Sequence, residues 1–127
     1  MNSTPKKQVD PSIIVISCSG PADVGGLADR VARRLAREGV AQMVGCTGIN
    51  AEMASAIQAA QNADFVLLID GCSNNCAKKC MENKKIPVHA HLCLTDLGFV
   101  KGRTPQPEEV LARVCNAAER LLPARKQ

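Results

Sequence analysis

Apolar residues along this chain fall into two kinds of spacing. Ile13-Ile14-Val15-Ile16 and Phe65-Val66-Leu67-Leu68-Ile69 are continuous runs, the first strongly β-branched, as expected for strands of a parallel sheet covered on both faces. Ser12 to Ser17 is therefore the first expected strand. After a glycine-containing turn, Val24, Leu27, Ala28, Val31 and Leu35 recur at helical spacing with arginines opposite them and Gly39 as a stop. Val40 to Val44 carries a weaker strand signal, and Asn50 is a candidate cap for a helix from Ala51 to about Asn62. A helix can run from Ser73 to Lys84 and ends before Ile86-Pro87. Val88 to Cys93 reads as the fourth strand, and Thr95 to Gly98 and Lys101 to Pro105 as turn-rich loop. The last helix starts near Pro107, with Glu108 and Glu109 at its positive end and Leu111, Val114, Cys115, Ala118 and Leu122 on its core face.

Strand and helix alternate four times, which implies right-handed crossovers. The expected fold is an α/β, three-layer α/β/α sandwich with a mainly parallel four-stranded sheet in flavodoxin-like or Rossmann-like order 2-1-3-4. With 127 residues the chain suits a single domain, preceded by a polar tail over about residues 1–11. No internal repeat, linker or low-complexity segment interrupts it.

This order gives four cysteines a shared location. Cys18 follows the first strand and Cys46 the second, while Cys72 and Cys76 lie in Asp70-Gly71-Cys72-Ser73-Asn74-Asn75-Cys76 after the third. Parallel sheets assemble ligand sites at the carboxyl ends of their strands. Adjacent strands lie about 4.8 Å apart, so order 2-1-3 sets the Cys46, Cys18 and Cys72 loops side by side. If a helix begins in the third segment, Cys76 projects to the same side as Cys72. Four thiolates around one point suit a tetrahedral metal such as zinc. The spacing by itself is only partly specific, because just Cys72 and Cys76 are local to each other.

Composition narrows the classes. Phe65 and Phe99 are the only aromatic residues, so a stacking platform for single-stranded nucleic acid is absent, and no nucleic-acid partner is expected. The net charge of +4 is spread over the polar ends and a face of Arg30, Arg33, Arg34 and Arg37, which reads as solvated helix surface. The first eleven residues lack the apolar core of a signal peptide, and no run approaches the roughly 18 residues of a membrane span. A cytoplasmic location without membrane contact is the expectation, and there seven cysteines point to metal binding or thiol chemistry rather than disulfides.

Several segments together resemble a known family. Ile16-Ser17-Cys18-Ser19-Gly20, Ala28 to Gly39, Ile69-Asp70-Gly71-Cys72 with Cys76-Ala77-Lys78-Lys79, and Thr95-Asp96-Leu97-Gly98 are similar to the DGC-domain family, which is regarded as zinc binding because of four recurring cysteines. The likeness spans roughly residues 12 to 121. It implies Cys18, Cys46, Cys72 and Cys76 as metal ligands and Zn2+ as the cofactor, with iron or an iron-sulfur cluster as a lesser alternative. It implies no reaction, and a protein partner is not specified.

Other residues have competing readings. Cys80 departs from the family pattern and reads first as a core residue, with a spare ligand or a resolving thiol as the alternatives. Cys93 ends a strand at the functional edge but reads first as a small core hydrophobe, as does Cys115. His89 and His91 share a strand face with Cys93 yet lie upstream of its carboxyl end, which favours packing roles. Asp70 is a helix cap or an orienter of the ligand loop, or both. A phosphatase would place an arginine six residues after its nucleophile; Val24 stands there, and the clamp that phosphoryl transfer needs is missing. The alternative to a metal protein is a thiol redox or sulfur-carrier protein using a cysteine at a helix N-terminus, with Lys78 and Lys79 nearby.

Overall fold

The computed structural model describes residues 10–124; residues 1–9 of the expected polar tail lie outside the described residues. The strands are β1 (Ile13–Ser17), β2 (Gln42–Met43), β3 (Phe65–Asp70) and β4 (Ala90–Cys93). The helices are α1 (Asp23–Arg37), α2 (Cys46–Asn50), α3 (Ala54–Asn62), α4 (Cys76–Asn83) and α5 (Glu108–Glu119), with a 3-10 turn at Leu94–Leu97. The four strands pair in parallel in the order β2-β1-β3-β4, as the alternation of elements predicts.

Most apolar strand side chains feed one of two cores, because alternate residues point to opposite faces. Val15, Leu67, Ile69 and Leu92 pack against α1 and α5 through Leu27, Val31, Leu35, Leu111 and Val114. Ile14, Ile16, Val66 and Leu68 pack on the other face against Ile49 of α2, Ala60 of α3, and Ala77, Cys80 and Met81 of α4. The result is a three-layer sandwich whose middle layer is almost dry: Val15, Ile16 and Val66 through Ile69 are fully buried.

Local differences from the sequence expectation have identifiable causes. β2 shrinks to two residues paired with Ile14 and Val15, as befits a sheet edge with Gln42 exposed. The expected helix over residues 51–62 starts only at Ala54, and a separate short helix, Cys46–Asn50, precedes it, with Glu52 at a positive φ of 62° between the two. Asn50 is thus the last residue of α2 rather than a cap. α4 begins at Cys76, three residues later than expected, after Asn75 enters the left-handed region at φ 52°. Gly39 adopts φ 73° just past α1 and ends it, as glycine beyond a helix commonly does.

Candidate metal centre

The carboxyl ends of β1 and β3 form the floor of the site. The Cys18 amide donates to the Ile69 carbonyl at 3.0 Å, which carries the β1–β3 pairing one residue past the strand. Its Sγ accepts the Gly71 N–H at 3.4 Å, so the thiol of the first loop is held by the backbone of the Asp70-Gly71-Cys72 segment. Ser19 turns the chain away at φ 51°, and its hydroxyl donates to Asp29 Oδ1 at 2.8 Å.

Two glycines let three backbones meet here. A Cβ on Gly71 would lie 2.7 Å from Gly25 N and Val24 C, and one on Gly25 would lie 2.5 Å from the Gly20 carbonyl oxygen. Both obstructions are main chain, which cannot swing aside as a side-chain tip can. Gly71 therefore brings the β3 exit directly against the first turn of α1. Gly20 itself has open space around it.

Asp70 organises the other wall. Its side chain is 1% exposed; its carboxylate accepts the Ala77 amide at 2.9 Å and the Lys78 amide at 3.2 Å and meets His91 Nε2 at 2.8 Å. Ala77 and Lys78 are the second and third residues of α4, whose amides have no intrahelical partner. Asn75, the residue before the helix, makes no side-chain cap, so Asp70 performs from β3 the task an N-cap residue usually performs locally. The negative carboxylate also complements the positive end of the helix dipole. The two sequence readings of Asp70, cap and orienter of the cysteine loop, are one arrangement.

The histidines take structural roles. His91 is the lateral partner of Asp70. His89 Nδ1 accepts the Val66 amide at 2.9 Å and its ring stacks on Phe65 at 5.2 Å. Cys93 is buried with its Sγ 3.3 Å from Thr95 Oγ1, and Cys115 is buried on α5, where burial raises its pKa.

Cys18, Cys72 and Cys76 line one cleft of about 340 Å3 at this edge, with Lys101 on its rim. Cys76, the first residue of α4, is exposed, while Cys18 and Cys72 are half-buried. Within the same turn, Asn75 Oδ1 is buried without a hydrogen-bond partner among the described residues. Cys46 begins α2 next to this cleft but does not line it. Burial, a side-chain hydrogen bond with Cys80, and the charges of Cys80, Asp70 and Cys18 push the Cys46 thiol up to about 12. All seven cysteines are free, and among the described residues no group of three or more His, Cys, Asp or Glu side chains is disposed to hold a metal ion.

A family model for the DGC domain matches residues 14–118. The chain belongs to the DGC-domain family. Over 92 residues this DGC-domain protein is 32% identical to the anaerobic and virulence modulator AnvM of Pseudomonas aeruginosa, an alignment covering 72% of this chain and 70% of AnvM. No solved structure matches the chain. Among the described residues no helix of the DGC domain is long and apolar enough to cross a membrane.

Sequence reasoning missed two partners in this site. Asn50 meets Cys80, its Oδ1 accepting from Cys80 Sγ at 3.2 Å. The signal for this was the helical spacing of Cys46 and Asn50, hidden by reading Asn50 as the start of the next helix. His91 as the partner of Asp70 had no sequence signal, since it depends on the β3–β4 register that sets Asp70 beside Cys93.

Proposed function

We propose that this DGC-domain protein binds Zn2+ through the thiolates of Cys18, Cys46, Cys72 and Cys76 at the carboxyl edge of its sheet. The observation that carries the reading is the single cleft shared by Cys18, Cys72 and Cys76, with Cys46 close enough for the charge of Cys18 to act on its thiol. Soft thiolate donors suit zinc, and the orphaned Asn75 Oδ1 marks a polar interior that lacks a partner. Asp70 and Gly71 act on this set indirectly, the first by fixing the start of α4 and the second by fixing how near Cys72 approaches Cys18.

Binding requires the ligands to lose their protons. Burial and the negative charges around it make the Cys46 thiol hold its proton firmly; a cation at the site would reverse that balance. The metal would supply a fixed positive centre that joins three segments distant in sequence, the last of them holding both Cys72 and Cys76. A set of four thiolates leaves no open coordination position, so the reading is of a structural, sensing or carrying site, without an assigned reaction.

Thiol redox or sulfur-carrier chemistry at Cys76 is the second reading, favoured by the exposure of that residue at the first position of α4. Against it, the helix end that would stabilise a free thiolate already holds the Asp70 carboxylate.

Single Cys18→Ser, Cys46→Ser, Cys72→Ser and Cys76→Ser variants, titrated with zinc against a competing chelator, test the ligand set. Each is expected to lose at least about tenfold in affinity, the smaller end of what even indirect partners of a metal contribute. Full affinity in all four would refute the assignment.

A further inference from the structure

His91 belongs to no cysteine loop, yet it bears on the one carboxylate that those loops share. β4 is an edge strand of the sheet, and its register pairs His91 with Leu68 and Cys93 with Asp70. Leu68 and Asp70 lie two residues apart on β3 and so share a face, the one on which α4 packs through Ala77 and Met81. From β4 the imidazole reaches across to Asp70, and its Nε2 lies 2.8 Å from Oδ2. The Asp70 side chain is 1% exposed and that of His91 23%, so the ring is the outer partner of a buried carboxylate.

The two carboxylate oxygens are loaded unequally. Oδ1 accepts the Ala77 amide at 2.9 Å, whereas Oδ2 accepts the Lys78 amide at 3.2 Å and also meets His91. With amides donating to both oxygens, the group is an acceptor on each side, and His91 Nε2 is assigned as a donor from this network. The terminal torsion of an aspartate is broad, so two amides on one helix leave the carboxylate free to rock with that helix. A third donor from a separate strand ties it to the sheet. No local residue shares the task, because Asn75 makes no side-chain cap. Cys76 immediately precedes Ala77, and Cys72 is the second residue after Asp70; where the carboxylate sits therefore bears on both thiols.

We infer that His91 is a positioning residue of the cysteine edge: it locks the Asp70 carboxylate onto the first turn of α4, and through it sets where Cys76 is presented to the metal. The second clause rests on the zinc reading above; the first does not.

The test compares three variants of the full-length protein. His91→Leu removes the donor, His91→Asn carries an amide that ends short of Asp70, and His91→Gln places an amide nitrogen near the position of Nε2. In metal-free protein, hydrogen exchange resolved by residue reads the start of α4 directly. His91→Leu and His91→Asn are expected to lose about tenfold in protection at the Ala77 and Lys78 amides, the effect of losing one helix cap, while His91→Gln keeps it. The His89 amide, bonded to the Val66 carbonyl at 3.0 Å, is expected to hold its protection in all three and reports that β4 stays paired. Should His91→Leu fail to fold, His91→Asn against His91→Gln carries the comparison. Unchanged protection at Ala77 and Lys78 in the folded donor-deficient variants, or His91→Gln exchanging as they do, overturns the lock.

In the second arm, zinc is titrated against a competing chelator. His91→Leu and His91→Asn are expected to bind at least about tenfold more weakly than wild type, with His91→Gln restoring affinity. Faster exchange at Ala77 and Lys78 with unchanged zinc affinity overturns the positioning of Cys76. If wild-type protein takes up no zinc, the zinc reading and the second clause fall together, and the exchange result decides the first clause alone.

Discussion

At the scale of single residues, Asp70 and Gly71 do different work despite being neighbours. Asp70 is a buried carboxylate held by two helix amides and an imidazole. Replacing it with asparagine removes the charge that matches the helix end and leaves one oxygen where there were two. Asp70→Asn is expected to lower stability by about 1–2 kcal/mol, the usual cost of losing a helix cap, and to weaken zinc binding by roughly 10–100-fold. Urea denaturation and chelator competition measure the two effects, and an unchanged zinc affinity would detach Asp70 from the site. Gly71 is a matter of space, since its added Cβ would meet the main chain of Val24 and Gly25. Gly71→Ala is expected to cost about 1–3 kcal/mol, as overpacking does. Gly20→Ala, where nothing lies within 4 Å, serves as the near-neutral control in the same denaturation series. In the sequence both glycines simply follow a strand. Their difference arises from loops approaching across the fold, which local spacing does not encode.

At the scale of elements, the expected strands and helices are present where apolar periodicity is strong. α1 buries every residue that its spacing selects, and α5 all but Leu122, which lies past the end of the helix and is half-buried, because one stripe of each helix has nowhere to go but the sheet. The failures cluster around α2 and the start of α4, where Glu52 and Asn75 adopt positive φ without being glycine. Such a conformation is uncommon for glutamate and more readily adopted by asparagine, and no residue pattern announced either. A long loop is also tied down in a way that periodicity does not register. Asp23, in the first turn of α1, accepts the Gly102 and Thr104 amides at 2.8 Å each, and its carbonyl accepts Gln106 Nε2 at 2.7 Å. The Gly102 and Thr104 amides hold the Asp23 carboxyl below its ordinary pKa. A lowered folded pKa means that the unfolded chain takes up the proton first, so the stabilisation is present above the ordinary carboxylate range and is lost as pH falls through the folded value. Asp23→Asn is therefore expected to melt below the wild type at neutral pH, with the gap closing as pH falls below the ordinary carboxylate range. Thermal melts across that range test this; a gap independent of pH would contradict it.

At the scale of the whole molecule, the sheet order is what turns a sequence pattern into a place. Cys18, Cys46 and Cys72 follow three strands that are neighbours in the order β2-β1-β3, and alternation of strand and helix was enough to anticipate that order. The cleft of Cys18, Cys72 and Cys76 was legible in this sense. The position of Cys46 was not, since it starts a short helix outside that cleft and its carbonyl oxygen lies 4.0 Å from Cys80 Sγ, an approach that depends on how α2 packs against α4. The arginine face of α1 also resolves at this scale into local pairing: Arg33 bonds Asp29 at 2.6 Å, Arg34 pairs with Glu38 and Glu108, and Arg30 donates to the Gln106 carbonyl at 2.9 Å. These exposed pairs, each of small worth in water, fit the solvated surface expected from the sequence.

Four thiols from three segments of the chain holding one metal is the central proposal. Its most direct test is elemental analysis of protein purified without added metal, with thiols counted by a labelling reagent before and after chelation. The account predicts about one zinc per chain and four thiols that become reactive only once the metal is removed. Protein that carries no metal and whose Cys18, Cys46, Cys72 and Cys76 react at the same rate with and without the chelator would contradict it.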